Sequence, residues 1–380
     1  MSSEVQNPER RERIRRLVIL ALKIILPLIL GTGVGVQVAP EKVREVEKRV
    51  EVPAPAHAEE FEYVPTQGWV RDPETIRTNL DPAKTLQFDQ TPAGKAVLGD
   101  DDVFLWRAVR KAAKLSDSDY PNVNQQSVGC CVGCGWKHSC DVVQATAIAQ
   151  GAAFEWKPIS VEVIYAGSRV EVGKGQISGD GSVGAWAAQW CRDFGVVPME
   201  KHGSLDLSTF SPARARQWGQ RGAGVPDELE GLAKAHPVKQ TALVRTAADA
   251  KRALLQGYPI AVCSDQGFTM SRDSDGFARP QGSWAHCMSF IAWRGGKRPG
   301  AFCLNSWGNQ AHTGPVWPPD APVAGFWVDE QTVDRMMRQG DSFALSDVQG
   351  FPARNIPIDW FVRERERPHA PALDTFALAW

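Results

Sequence analysis

The sequence predicts a compact core of helices and antiparallel strands carried behind an N-terminal membrane span, and three features predict it. Residues 17–38 form an apolar run of about the 20 residues that cross a bilayer core. Residues 131–151 carry apolar side chains at helical spacing, and residues 284–304 hold two apolar strands around a glycine turn. A chain of 380 residues can bury a sizeable core, and 43% hydrophobic, 23% charged residues and a net charge of -1 exclude a disordered acidic chain and a basic nucleic-acid binder. Eight cysteines are too few for a disulfide scaffold of this length. Four of them, Cys130, Cys131, Cys134 and Cys140, crowd together, which directs attention to chemistry or metal binding there.

At the N-terminus, residues 1–16 are a basic tail containing Arg10, Arg11, Arg13, Arg15 and Arg16, and residues 17–38 read as a transmembrane signal anchor in the lipid bilayer. Lys23 and Pro27 lie inside the span, so the ammonium must snorkel or find a partner. A cleaved signal peptide and an amphipathic surface helix are the alternatives; the small-residue pattern Ala56-His57-Ala58 is too far downstream for cleavage. Lys42, Arg44, Lys48 and Arg49 follow the span, leaving a thin charge asymmetry that favours a single-pass protein with the domain after the span on the non-cytoplasmic side. Residues 39–60 form a charged, then Pro/Ala-rich linker. Residues 61–102 are turn-rich without helical or strand period and are expected to wrap the core as an extension. The compact domain is placed at 103–341 and a C-terminal tail at 342–380, with no internal repeat.

Within the domain, Val132, Trp136, Cys140, Val143 and Ala147 follow at offsets of four, four, three and four, which makes one helical stripe that Gly151 stops. Cys131 then lies in the first turn, where unpaired N–H groups and the macrodipole lower a thiol's pKa, so a thiolate nucleophile is expected. The Cys131 backbone N–H and the Gln125 side-chain amide, across the Gly129 turn, are candidate donors to an oxyanion. Cys134 is the alternative nucleophile. A metal site from Cys131, Cys134, His138 and Cys140 is the rival reading, disfavoured because these residues spread over several faces of one helix.

Residues 246–257 read as a capped helix, and Pro259-Ile-Ala-Val-Cys263 as a short strand. Trp284-Ala-His-Cys-Met-Ser-Phe-Ile-Ala-Trp293, a turn at Arg294-Gly295-Gly296 and the strand Ala301-Phe-Cys-Leu304 make an antiparallel hairpin. Counting from the turn, Asn305 comes roughly opposite His286, so an amide can hold the imidazole. His312 is the rival base.

Two of these stretches resemble the papain family of cysteine peptidases. Asn124-Gln125-x-Ser127-x-Gly129-x-Cys131 is similar to the family's nucleophile segment, and His286 followed by Asn305-Ser306-Trp307-Gly308 is similar to its histidine strand and Asn-Ser-Trp-Gly motif. Val128 stands where the family has a cysteine of its groove disulfide, and Val132 where it has tryptophan. The resemblance implies a two-lobed α+β fold and a catalytic set of Cys131, His286, Asn305 and Gln125, with Trp307 shielding the His–Asn bond. Gly179-Asp-Gly-Ser-Val-Gly184 resembles the family's groove segment, so Gly181 and Ser182 become substrate-binding positions and Ser182's side chain is expected to crowd the groove. Trp284 and Ala285 correspond to positions that shape the pocket for the substrate's second residue.

The activity so implied is hydrolysis of an extended peptide or protein through an acyl-enzyme, with no cofactor and no metal. No long helical prosegment is visible in residues 61–102. Two alternatives remain open: a membrane-anchored or particle-associated binding protein on an inactive peptidase scaffold, and an enzyme that transfers its acyl group to an amine.

Overall fold

The computed structural model describes residues 67–116, 119–234 and 238–356. The anchor expected at 17–38, the linker at 39–60 and the last part of the tail, 357–380, lie outside them. Among the described residues, no helix is long and apolar enough to cross a membrane.

The longer helices are α1 (Leu105–Ala113), α2 (Cys131–Ala149), α3 (Gly184–Asp193), α4 (Ala247–Leu255) and α5 (Glu330–Met337). One antiparallel sheet contains β1 (Val103–Phe104), β2 (Gln240–Leu243), β3 (Ile260–Arg272), β4 (Ala278–Arg294), β5 (Gly300–Leu304), β6 (Gly325–Asp329) and β7 (Phe343–Ser346). Its order is β2-β7-β3-β4-β5-β6, and β1 pairs with β4. The class is α+β, as the sequence predicts.

Local chemistry explains the main elements. Thr246 caps α4 by accepting from the Asp249 N–H, and its hydroxyl donates back to the Asp249 carboxylate. Gly151 (φ +98°) takes the left-handed conformation just beyond α2. The strands expected at Pro259–Cys263 and Trp284–Trp293 are both longer. Beyond the Ser264/His286 pair, β3 and β4 continue as a bulged ribbon, exposed along residues 279–283, whose polar outer residues give no apolar run to read. The ribbon closes where the Asp273 carboxylate accepts from the N–H groups of Asp275 and Phe277.

The apolar interior has two main parts. One lies on the sheet around Trp106, Trp293, Phe302 and Trp327. The other surrounds α2 and α3 with Trp136, Val163, Trp190 and Leu229. Helix α2 is buried on every side from Cys131 to Ala147, so the expected single stripe understates it. Its charged residues are accordingly paired, whereas both ring nitrogens of the buried His138 have no hydrogen-bond partner, and burial lowers that histidine's pKa well below its usual value. Lys137 Nζ lies 2.6 Å from the Asp141 carboxylate and donates to the Pro121 carbonyl, and Asp141 also accepts from the Ile159 N–H. Burial raises Asp141 to about 6, with Lys137 pulling the other way.

The domain boundaries differ from those expected. Strand β7 inserts between β2 and β3, and Phe351 is fully buried with its ring 5.0 Å from Tyr258 and 5.6 Å from Phe88. The compact body therefore continues past Asp341, and on the N-terminal side it takes in residues 67–102, including a capped helix at Pro73–Asn79. That helix is too short to leave a period in the sequence.

Helix α2 meets β4 backbone to backbone. A Cβ on Gly135 would stand 2.7 Å from the Met288 carbonyl oxygen and 2.8 Å from Cys287 Sγ. Gly135→Ala should gain about 1 kcal/mol in helix propensity and lose more to overpacking, roughly 1–3 kcal/mol plus displacement of the seam. Net destabilisation in thermal or denaturant unfolding is the expected outcome; an unchanged or higher Tm would show that the seam yields freely.

Candidate active site

Cys131 opens α2, with Cys130 as its N-cap residue. The side chain is fully buried, and burial pushes its thiol well above the usual range, while the N–H groups of Cys287 and Val132 pull it down. This corrects the expected thiolate: desolvation outweighs the helix terminus in this state. The sulfur lies against the backbone of the residue that follows His286. Cys134, the alternative nucleophile, is buried with its sulfur 3.8 Å from Cys130 Sγ. Among the described residues, no group of three or more His, Cys, Asp or Glu side chains is arranged to hold a metal ion.

His286 and Asn305 come together. The last register pairs before them are Ser289↔Leu304 and Phe290↔Cys303, and Asn305, just beyond β5, reaches His286 with its side chain. His286 Nε2 donates to Asn305 Oδ1 at 2.8 Å, which leaves Nδ1 as the ring's acceptor nitrogen, buried and without a hydrogen-bond partner. Asn305 Oδ1 also accepts from the Ser306 N–H at 2.7 Å. Trp307 stacks on the imidazole at 4.5 Å with an interplanar angle of 27°, and Trp284 packs edge-on against Trp307 at 4.7 Å. Trp284 thus buttresses Trp307. Burial lowers His286 to about 4, against an upward pull from Asn305.

His312 has a different place from the one expected. Asn305 Nδ2 donates to His312 Nε2 at 2.9 Å, so the second histidine is an acceptor for the amide that holds the first. An amide nitrogen can only donate, so a neutral His312 fixes which end of Asn305 faces His286. Burial, and then the charge of Arg272, bring His312 down to about 3. The sequence offered the histidine but not its direction.

Gln125 is fully buried; Nε2 donates to the Val128 carbonyl at 2.9 Å and Oε1 accepts from the Ser306 hydroxyl at 2.7 Å. Its own N–H donates to the Ser306 carbonyl, and Asn124 bridges to Trp307. The two motifs are thereby sewn together beside Cys131.

Residues 67–70 run over this site, which the sequence did not reveal. Gly68 and Trp69 donate their N–H groups to the Ala285 carbonyl at 3.0 and 2.9 Å, and Ala285 N–H donates to Gln67 Oε1. Ser182 N–H donates to the Gly68 carbonyl and Val70 N–H to the Ser182 carbonyl, both at 2.8 Å, in a parallel bridge. A Cβ on Gly68 would strike the Gly129 carbonyl, so only glycine passes there. The Ser182 hydroxyl, expected to crowd the groove, instead turns away and meets the Ser168 hydroxyl at 2.8 Å. Gly181 (φ +113°) lies under the same segment, with Val70 Cγ2 2.9 Å from where its Cβ would be. Trp69 is buried, and its Nε1 donates to Asp341 Oδ2 at 2.8 Å.

No protein-family model and no curated protein matches the chain. Among solved structures it is similar to xylellain, a cysteine protease from Xylella fastidiosa, at TM-score 0.48 and 14% identity over 76% of this chain and 98% of that one. It is also similar to digestive procathepsin L2 proteinase from Tenebrio molitor larval midgut, at TM-score 0.44 and 13% identity over 74% and 78% of the two chains. A third is proCathepsin B S9 from Trypanosoma congolense, at TM-score 0.42 and 13% identity over 74% and 86%.

The two buried histidines make a pH prediction with a definite sign. Their folded pKa values, about 4 and about 3, lie below the usual 6.5, so the unfolded chain binds protons first and the fold weakens as pH falls through that window. Asp141 and Asp341, raised by burial, tilt the opposite way. The difference between wild type and His312→Gln isolates the histidine. Between pH 7 and pH 4 the variant should gain about 3 kcal/mol relative to wild type in denaturant unfolding; a constant difference would mean that His312 is protonated in the folded protein.

Proposed function

We propose that the chain is a cysteine-type peptidase that cleaves peptide bonds in an extended peptide or protein. One observation carries the reading. His286 is fastened through Nε2 to Asn305 beneath Trp307, its Nδ1 is left bare, and the strand that holds it presents its next N–H to the Cys131 thiol. The proton of Cys131 passes to His286 Nδ1, and the thiolate attacks the scissile carbonyl. The oxyanion that forms is met by the Cys131 backbone N–H, one of the unpaired donors of the α2 terminus, and by the Gln125 amide. The imidazolium returns its proton to the leaving amine. The remaining thioester is resolved by water, activated by the same imidazole. Asn305 keeps the ring in place, and His312 keeps Asn305.

In the described state the centre is at rest. Cys131 and His286 are wholly buried, the thiol is held protonated and the imidazole neutral. Residues 67–70 occupy the backbone partners, Ser182 and Ala285, that an extended substrate would use. Catalysis on this reading requires that segment to leave, which admits water and relaxes both pKa shifts. The proposed peptidase is tethered to a membrane through residues 17–38, its catalytic part on the non-cytoplasmic side.

Complete burial of both reacting side chains also favours a second reading, in which the fold is an inactive scaffold that never opens. An irreversible peptidyl electrophile separates the two. On the peptidase reading it labels Cys131 slowly in wild type, at least about tenfold faster in Trp69→Ala, and not at all in Cys131→Ala. If folded Trp69→Ala resists labelling while the denatured chain accepts it, the scaffold reading stands. For His312, loss of one buried hydrogen bond is worth about 1 kcal/mol, or five- to tenfold in rate. His312→Ala should lower kcat by that factor with KM little changed, and His312→Gln, which retains an acceptor, should recover most of it.

A further inference from the structure

The groove carries its own record of what it holds. Trp69 is the side chain that residues 67–70 send into the body, and it enters the apolar cluster that contains Cys131, Cys263, Phe343 and Leu345. At the end of that path is Asp341, fully buried. Its Oδ2 accepts from Trp69 Nε1 at 2.8 Å and from the Gly184 N–H at 2.8 Å; its Oδ1 accepts from the Ala185 N–H at 2.8 Å and from Asn79 Nδ2 at 3.2 Å. Two of those donors are the first N–H groups of α3, whose positive end favours a carboxylate. The helix must begin with glycine to admit it, because a Cβ on Gly184 would stand 2.8 Å from Asp341 Oδ2 and 2.7 Å from Cys263 Sγ.

A carboxylate has about four acceptor positions, and here four donors fill them. Three belong to the body of the fold. The fourth is the indole N–H, supplied by the segment that must leave if the groove is to take a substrate. Once Trp69 withdraws, Asp341 faces an apolar pocket with an unfilled acceptor. A leucine or phenylalanine side chain entering there would seal that acceptor away from water without a partner, which is more costly than the loss of one bond. A flat aromatic ring with one N–H at its edge both fills the space and satisfies the oxygen. Burial already raises Asp341 to about 7 despite its donors, so the loss of one is not neutral.

We infer that the pocket floored by Asp341 is a specificity pocket for a tryptophan side chain, and that Trp69 holds the groove shut by occupying it as such a substrate residue would. The inference rests on the peptidase reading for the word substrate, but not for the pocket, whose occupant and hydrogen bond are independent of any reaction. Asp341 becomes a specificity-determining residue that touches no reacting atom.

The test uses the full chain with Trp69→Ala, which empties the pocket, and calorimetric titration with blocked tripeptides acetyl-Gly-Xaa-Gly-amide in which Xaa is Trp, Phe, Leu or Arg. The Trp peptide should bind at least about tenfold more tightly than the Phe and Leu peptides, the value of one buried hydrogen bond whose absence leaves its partner unsatisfied. Phe within twofold of Trp, or Arg at least equal to it, overturns the inference. Electrophile labelling of the same variant is read separately. Absence of labelling defeats the peptidase reading while the binding order still decides the pocket. If Trp69→Ala does not fold, Trp69→Phe keeps one aromatic ring and removes the indole N–H together with the five-membered ring that carries it. Hydrogen exchange of the Val70 amide, which bonds to Ser182, should then accelerate about tenfold or more over wild type. An unchanged rate would show that the indole N–H does not hold the segment, and the inference would fail.

Discussion

The contact on which the rest depends is the seam between α2 and β4. Two glycines, Gly133 and Gly135, remove the side chains that would hold the helix off its neighbours, and Gly135 lets it close on the Cys287–Met288 backbone. Ser139 and Ser289 hydroxyls meet across the same seam at 2.8 Å. Because the helix begins at Cys131, closing the seam delivers its first side chain to the backbone of the residue after His286. A helix that stood a few ångströms further out would leave the thiol and the imidazole on separate surfaces. The buried Lys137–Asp141 pair, tied to Pro121 and Ile159, keeps the helix from rotating within that packing.

From the seam the electrostatics follow. A thiol and an imidazole placed together without water each prefer the neutral form, because a lone charge in a low-dielectric interior is unfavourable by far more than one helix terminus can offset. In the described state both groups are therefore neutral for a physical reason. The polar contacts around them are nonetheless arranged for charge. Asn305 accepts from His286 and donates to His312, and Trp307 covers the ring. On the proposed peptidase reading, opening the groove changes the solvent and leaves that framework in place.

The parts of the molecule that could be read from the sequence are those written in one continuous stretch. The Cys131 helix showed itself through spacing, the hairpin through two apolar runs around Arg294-Gly295-Gly296, and the His286–Asn305 pair through a count from the turn that falls two residues from the observed register, in which Leu304 pairs with Ser289. What stayed hidden depends on partners far away in the chain. The segment Gln67-Gly68-Trp69-Val70 has no period, and its partners Ser182 and Ala285 lie more than a hundred residues away. Asp341 stood at the edge of the expected domain and looked like any acidic residue before a strand, yet it caps α3 and holds Trp69. His312 was visible as a histidine near the motif, but only the direction of the Asn305 amide tells a base from a support. The thiolate expectation failed because a helix terminus can be read from sequence and complete burial cannot.

The central claim is that Cys131 and His286 form one ionisable unit as soon as the groove opens, and the pH dependence of Cys131 alkylation by iodoacetamide in Trp69→Ala tests it most directly. The account predicts a rate profile whose lower inflection lies well below the free-thiol value of about 8.5, and which moves up to or above that value when His286→Gln is added. A single inflection at or above that value in Trp69→Ala, unaffected by the His286 substitution, would contradict it.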